Sequence, residues 1–370
     1  MVSSNQRVVS CYFIVDAAWT IVVPQLTWLI FVLFFIVPVY WRFPIFVLYT
    51  FIIIGATHGG TDIGRAILKN VARVRGLKTW RETIVQPKKS NAAIYAIHPH
   101  GRYPLDIYPL MASDIDLEHV KIASASQGKY FPTLGLVMAL YGNTLGVSRT
   151  ELGNALSRKD HIAIFPGGAK EMHECSDPNK IRLVQHHGFL HLAYELDAIV
   201  VPCFVFGFNE SYMSILHTCQ KILYRFTKLN FPIWFPRLQT INGCRNRVLM
   251  VVGTPINPKQ FKTNQALIDY YWKEVGNLFE RHKHRYPDYT DKELIIVPDK
   301  NHVKMQIGTH RTTISGLRSY KENRYDLENE QKSLSPALLS MLRYSTFLNI
   351  VFMFGSLCHF AWKGTWYQST

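Results

Sequence analysis

The chain has 370 residues, a formal net charge of +15 and 48% apolar residues, enough for one sizeable domain with appendages. The basic charge does not signal nucleic acid, because no zinc-finger spacing and no RNP-type aromatic box occurs. An anionic membrane surface is the simpler counterpart.

In chain order, the first feature is apolar. From Tyr12 to Thr57 the only formal charges are Asp16 and Arg42. That length holds two spans of about 20 residues or a hairpin dipping into the bilayer. The arms 26–40 and 43–56 are each short for a full span, and Pro24, Pro38 and Pro44 interrupt them. Residues 1–57 therefore read as a membrane hairpin turning near Tyr40-Trp41-Arg42, with Trp19, Trp28, Tyr40 and Trp41 suited to interfaces. A cleaved signal peptide fits poorly, since the apolar region is long and only Arg7 precedes it.

Residues 58–90 form a basic connector. Arg65, Lys69, Arg73, Arg75, Lys78, Arg81, Lys88 and Lys89 outweigh Asp62 and Glu82, which places this flank on the cytosolic side. The six cysteines, Cys11, Cys175, Cys203, Cys219, Cys244 and Cys358, contain no Cys-x-x-Cys pair. They read as reduced thiols of a cytosol-facing domain.

Residues 91–298 alternate between strands and helices. Short, apolar, β-branched runs predict strands at 92–97, 120–125, 161–165, 198–206 and 247–252. Helices are predicted over 132–141, 150–159, 188–196, 212–226 and 264–283. Crossovers of this length favour an α/β fold with a largely parallel sheet flanked by helices. Residues 299–343 are polar and read as a linker. Residues 344–362 are apolar again, long enough to span or to lie in the interface, and Asn349 and His359 favour the interface.

Within this domain Ile94-Tyr95-Ala96-Ile97 leads into His98-Pro99-His100-Gly101. A buried strand followed by a glycine turn places two imidazoles at a carboxyl edge, where open α/β sheets bind ligands. In an extended segment the two rings share one face. Alone, the pair also fits satisfied core histidines or a fragment of a metal site. A second apolar run, Ile162-Ala163-Ile164, ends in Phe165-Pro166-Gly167-Gly168-Ala169-Lys170-Glu171. Gly167-Gly168 alone fits a tight turn, and Glu171 alone fits an acid at a helix N-terminus. There is no Gly-x-Ser-x-Gly elbow, Walker loop or Gly-x-Gly-x-x-Gly fingerprint. His187 and His191 stand four apart, but Gly188 replaces the glutamate a zincin needs, and no metal is expected.

These two boxes, in this order, resemble the type-2 diacylglycerol acyltransferase family, which includes monoacylglycerol and wax-alcohol acyltransferases. Further matches follow in the family's order: Gly146-Val147-Ser148-Arg149, Gly188-Phe189, Val201-Pro202, Phe206-Gly207-Phe208-Asn209-Glu210, Val252-Gly253-Thr254-Pro255-Ile256 and Asn277-Leu278-Phe279-Glu280-Arg281-His282-Lys283. The resemblance covers roughly 91–297 and implies a glycerolipid acyltransferase-like fold. It implies an endoplasmic-reticulum membrane enzyme, with lipid droplets as a further location and the catalytic domain facing the cytosol. The implied reaction moves a fatty acyl group from acyl-CoA to diacylglycerol, forming triacylglycerol, with no cofactor beyond acyl-CoA as co-substrate. Monoacylglycerol, a sterol or a long-chain alcohol are alternative acceptors. A catalytically silent lipid-binding protein of the same fold is the rival of another class, and a homo-oligomer is left open.

Such a transfer needs a base, a group to hold it, and donors for the oxyanion. The resemblance makes His100 the base and groups His98 and Glu171 with it, Glu171 as partner of the imidazole. Gly101, Pro166, Gly167, Gly168 and Arg149 form the implied oxyanion and acyl-CoA set. The wider superfamily has four residues between its His and its Asp; here five residues separate His100 from Asp106, which is a secondary candidate or a helix N-terminal acid. His186-His187 stand where the family has a basic pair, and residues 231–243 are rewritten, so phosphate binding and acceptor selection depart from the family pattern there.

Overall fold

The computed structural model describes residues 36–58, 62–83, 87–88, 90–125, 128, 132–174, 179–213, 235–236 and 248–297. At the centre lies β2 (Ala93–His98), every residue of which is buried. Its neighbours β5 (His161–Ile164) and β7 (Ile199–Phe206) are both parallel to it, with Ala93 level with His161 and with Ile199. Beyond β5 the parallel run continues through β3 (Lys121–Ser124) and β4 (Thr144–Gly146). Beyond β7, β10 (Leu249–Val252) runs antiparallel, and β1 (Lys78–Arg81) pairs with it in parallel at the edge. Among the described residues this gives one seven-stranded sheet, order β1-β10-β7-β2-β5-β3-β4. The expectation of a largely parallel α/β sheet holds.

Alternation along β2 and β7 sends side chains to two faces, and each face is covered. Ala93, Tyr95, Ile97, Val201, Cys203 and Val205 join a core with α2 (Asp62–Arg75), α3 (Ile107–Ser113) and α4 (Pro132–Tyr141). Ile94, Ala96, Val200, Phe204 and Phe206 join a second core with α5 (Arg149–Ser157), α7 (Gly188–Leu196) and α9 (Asn264–His282). Helix α9 starts where the Thr263 hydroxyl accepts the Ala266 N–H at 3.2 Å. Leu267, Tyr271, Val275 and Leu278, spaced by three or four, make its buried stripe. A separate parallel pair, β6 (Lys180–Val184) and β11 (Glu293–Val297), carries Val184 towards the turn after β5.

All five sequence-read strands occur within two residues of their expected bounds. The helix expected at 212–226 does not begin there: Tyr212 and Met213 form a short strand, β8, paired with β9 (Phe235–Pro236), and 214–226 lie outside the described residues. The basic connector is not merely a connector. Its residues 62–75 form α2 and its residues 78–81 are the edge strand, a basic tetrapeptide with no apolar run to announce it.

The N-terminal hairpin is also revised. Helix α1 (Val39–His58) runs through Tyr40-Trp41-Arg42, where the turn was expected, with Pro44 inside it. No helix among the described residues is long and apolar enough to cross a membrane. Tyr40, Trp41, Arg42 and Pro44 dilute the apolar character of its first half. Helix α1 lies against α4 while Tyr40, Phe43 and Phe51 remain more than half exposed. The first arm of the expected hairpin, the 299–343 linker and the 344–362 segment lie outside the described residues, apart from Ile36 onward.

Candidate active site

Strand β2 ends at His98, the His98–Pro99 peptide is cis, and the chain turns at Gly101 with φ +69°. A β-carbon at Gly101 would lie 2.9 Å from the Phe208 β-carbon, so both the backbone angle and the available space require glycine. Phe208 opens the short helix α8 (Phe208–Ser211) directly after β7, which sets the Phe206–Glu210 box beside the histidine turn.

The two histidines do not share a face. His98 is fully buried on the α9 side, its ring 5.2 Å from that of Trp272 and its Nε2 2.9 Å from the Tyr271 hydroxyl. His100 lies beyond the strand, where two-residue alternation no longer applies. Its half-buried ring meets Phe165 edge-on at 5.0 Å. Its Nδ1 is 2.9 Å from the Gly101 carbonyl oxygen. A carbonyl only accepts, so Nδ1 carries the proton and Nε2 keeps the lone pair. Loss of solvent pushes the His100 imidazole below its ordinary pKa, against the opposing Gly101 hydrogen bond and Glu171 charge. The ring is thus neutral, with Nε2 preset as a proton acceptor.

Glu171 comes from α6 (Gly168–Glu174) and is fully buried. Its Oε2 accepts the His100 backbone N–H at 2.8 Å, and its Oε1 accepts the Val184 N–H at 2.9 Å. Oε1 also lies 3.8 Å from His98 Nδ1. The carboxylate is therefore joined to His100, but through the main chain; the expected hydrogen bond to the His100 imidazole is replaced by proximity to the His98 ring. Two backbone donors offset part of the cost of burying this charge. Gly167 makes room for it, since a β-carbon there would stand 1.8 Å from the Glu171 carboxyl carbon. Gly168 was a candidate oxyanion donor, but its N–H donates to the Phe165 carbonyl at 3.1 Å and closes the turn that also contains Pro166.

Two expected site residues stand elsewhere. Asp106 is buried and pairs with Arg75 of α2 at 3.0 Å. That ion pair ties the turn after the histidine box to α2. Arg149 begins α5 after β4, three strand positions from β2, and its exposed guanidinium pairs with Glu195. At about 4.8 Å per strand the separation is roughly 14 Å. Glu210 accepts from the Tyr289 hydroxyl at 2.7 Å and from Lys292, while Tyr289 accepts the Gly207 N–H at 3.1 Å. This box is a brace for the end of β7. His191 pairs with Asn264. Tyr271, Trp272 and the Val184 N–H were not foreseen from sequence; the only trace was the aromatic run Tyr270-Tyr271-Trp272.

Together these features define an α/β domain with a histidine–carboxylate cluster at the carboxyl edge of its parallel strands. The family model for diacylglycerol acyltransferases matches residues 77–297, more than half of the chain. The chain belongs to the diacylglycerol acyltransferase family. It is 27% identical over 218 residues to diacylglycerol O-acyltransferase 1 of Schizosaccharomyces pombe, covering 51% of this chain and 63% of that protein. Against diacylglycerol O-acyltransferase 2A of Umbelopsis ramanniana it is 26% identical over 306 residues, 72% of this chain and 85% of the other. Against 2-acylglycerol O-acyltransferase 1 of Mus musculus it is 32% identical over 165 residues, 38% of this chain and 49% of the other. Among solved structures, the 1-acyl-sn-glycerophosphate acyltransferase PlsC of Thermotoga maritima is similar with a TM-score of 0.42 and 14% identity, covering 72% of this chain and 96% of that one.

Proposed function

We propose that this protein is an acyl-CoA-dependent O-acyltransferase that esterifies the free hydroxyl of diacylglycerol to give triacylglycerol, with His100 as general base. The observation that carries the reading is the Nδ1 contact of His100 with the Gly101 carbonyl, which leaves Nε2 as the acceptor nitrogen. In the proposed reaction Nε2 takes the acceptor's hydroxyl proton as the oxygen attacks the thioester carbonyl. The tetrahedral intermediate then expels the CoA thiolate, and the imidazolium returns the proton to sulfur. Glu171 sits close enough for its charge to favour the imidazolium in between.

The membrane reading rests on the apolar N-terminal region, the exposed apolar side chains of α1 and the basic residues of α2. An endoplasmic-reticulum location with the site facing the cytosol suits a protein using acyl-CoA. A second acceptor, monoacylglycerol, is favoured by the similarity to the mouse 2-acylglycerol O-acyltransferase 1. The test incubates membranes carrying the protein with labelled oleoyl-CoA and separate diacylglycerol, monoacylglycerol, sterol and long-chain alcohol acceptors. Labelled triacylglycerol as the main product supports the reading. No labelled ester from any acceptor overturns it in favour of the silent lipid-binding protein.

A further inference from the structure

His98 is the least exposed titratable group of the histidine box, and the proposed reaction gives it no proton to move. Its surroundings fix what it does. Oε1 of Glu171 faces Nδ1 at 3.8 Å, too far for a hydrogen bond but close enough to decide the tautomer. A lone pair on Nδ1 would point at the carboxylate, so the proton belongs on Nδ1. Nε2 is then an acceptor, and the donor it meets is the Tyr271 hydroxyl at 2.9 Å. Tyr271 is itself fully buried on α9, held by the Phe189 ring at 5.3 Å and that of Trp272 at 5.4 Å.

We propose that Tyr271 is a positioning residue for the acyl-transfer site: its hydroxyl anchors the His98 ring with the Nδ1–H edge facing the Glu171 carboxylate, which in turn holds the His100 backbone. The sequence of contacts runs from α9 through Tyr271 and His98 to Glu171, then to the His100 N–H at 2.8 Å. It follows that the first histidine of the box is a spacer with a defined proton, and the second is the base. Without the Tyr271 hydroxyl, Nε2 of His98 is a buried acceptor with no donor. The ring loses its anchor on α9 and is free to turn, so its Nδ1–H edge is no longer kept towards the Glu171 carboxylate. The expected loss is in the chemical step, because Tyr271 is buried on α9 and acts through His98 and Glu171.

This inference rests on His100 acting as base, and the experiment separates the two. Purified Tyr271→Phe, Glu171→Gln, their double variant, His100→Ala and Tyr270→Phe are assayed in detergent micelles with labelled oleoyl-CoA and dioleoylglycerol. Tyr271→Phe is expected to lower kcat about tenfold to a hundredfold with the oleoyl-CoA KM nearly unchanged. Tyr271→p-aminophenylalanine, which keeps a donor at that position, restores most of the rate. Tyr270→Phe, on the exposed side of the same helix, leaves it unchanged. The double variant is no worse than Glu171→Gln alone to within about threefold, because both act through one carboxylate. The proposal is overturned if Tyr271→Phe keeps full kcat while His100→Ala is dead, or if its loss merely tracks a lower thermal stability. An active His100→Ala overturns the general-base reading instead.

Discussion

Gly167 and Gly168 are adjacent, yet the structure gives them opposite tolerances. In Gly167→Ala the new methyl would lie 1.8 Å from the Glu171 carboxyl carbon and 2.0 Å from Oε1. Carbon–carbon contacts settle near 3.5–4 Å, so the carboxylate must retreat by more than about 1.5 Å. That breaks its bonds to the His100 and Val184 N–H groups, now 2.8 and 2.9 Å. A hydrogen bond to a charged group contributes about 1.5–3 kcal/mol, so losing both removes up to roughly 3–6 kcal/mol before relaxation. A loss of about 3 kcal/mol would lower Tm by some 6–12 °C in a domain of this size. Displacing the His100 turn by even about 1 Å is expected to reduce transfer roughly 100-fold. Gly168→Ala meets nothing within 4 Å and carries only the cost of φ +49°, about 1–2 kcal/mol. The assay is transfer of labelled oleoyl groups to dioleoylglycerol, with thermal unfolding of the same preparations. Gly167→Ala with normal rate and Tm, or a pair of variants equally impaired, would refute the reasoning.

Four further outcomes are expected. The acid limb of the kcat/KM profile lies below the ordinary histidine range, because a base with a lowered pKa stays neutral as the pH falls until that lower value is passed. Glu171→Gln removes a charge that raises the His100 pKa, so the limb moves to still lower pH while the plateau drops; a limb moving upward contradicts this. Asp106→Asn removes one charge from the buried Arg75–Asp106 pair and should lower stability by up to about 3–5 kcal/mol, read by thermal unfolding, with the rate per folded molecule little changed. In sealed microsomes, external protease should digest the catalytic domain; a domain protected from it would reverse the proposed orientation.

The parts of this fold that could be read in the sequence are those with residue types no other role explains. His98-Pro99-His100-Gly101 and Phe165-Pro166-Gly167-Gly168 announce strand ends and turns, and apolar runs such as Ile162–Ile164 announce the strands themselves. Strand β1, Lys-Thr-Trp-Arg, has no apolar run, and β6, Lys-Ile-Arg-Leu-Val, is short and interrupted by charged residues, so neither stands out. Tyr271 was hidden for a different reason. It occupies a core position of α9 between Leu267 and Val275, and nothing in that spacing separates a polar contact from packing. The Glu171 bonds were also illegible, because a side chain meeting backbone N–H groups leaves no mark on the residues that supply them. Asp106 could be read as an acid after the box, but its partner Arg75 is 31 positions away.

The central claim is that Nε2 of His100 takes the acceptor's proton. It is tested most directly by comparing purified wild type and His100→Ala in transfer of labelled oleoyl groups from oleoyl-CoA to dioleoylglycerol at matched folded protein. The account predicts a loss of about 10²- to 10⁴-fold in kcat for His100→Ala, with thermal stability retained. Transfer by folded His100→Ala at the wild-type rate would contradict it.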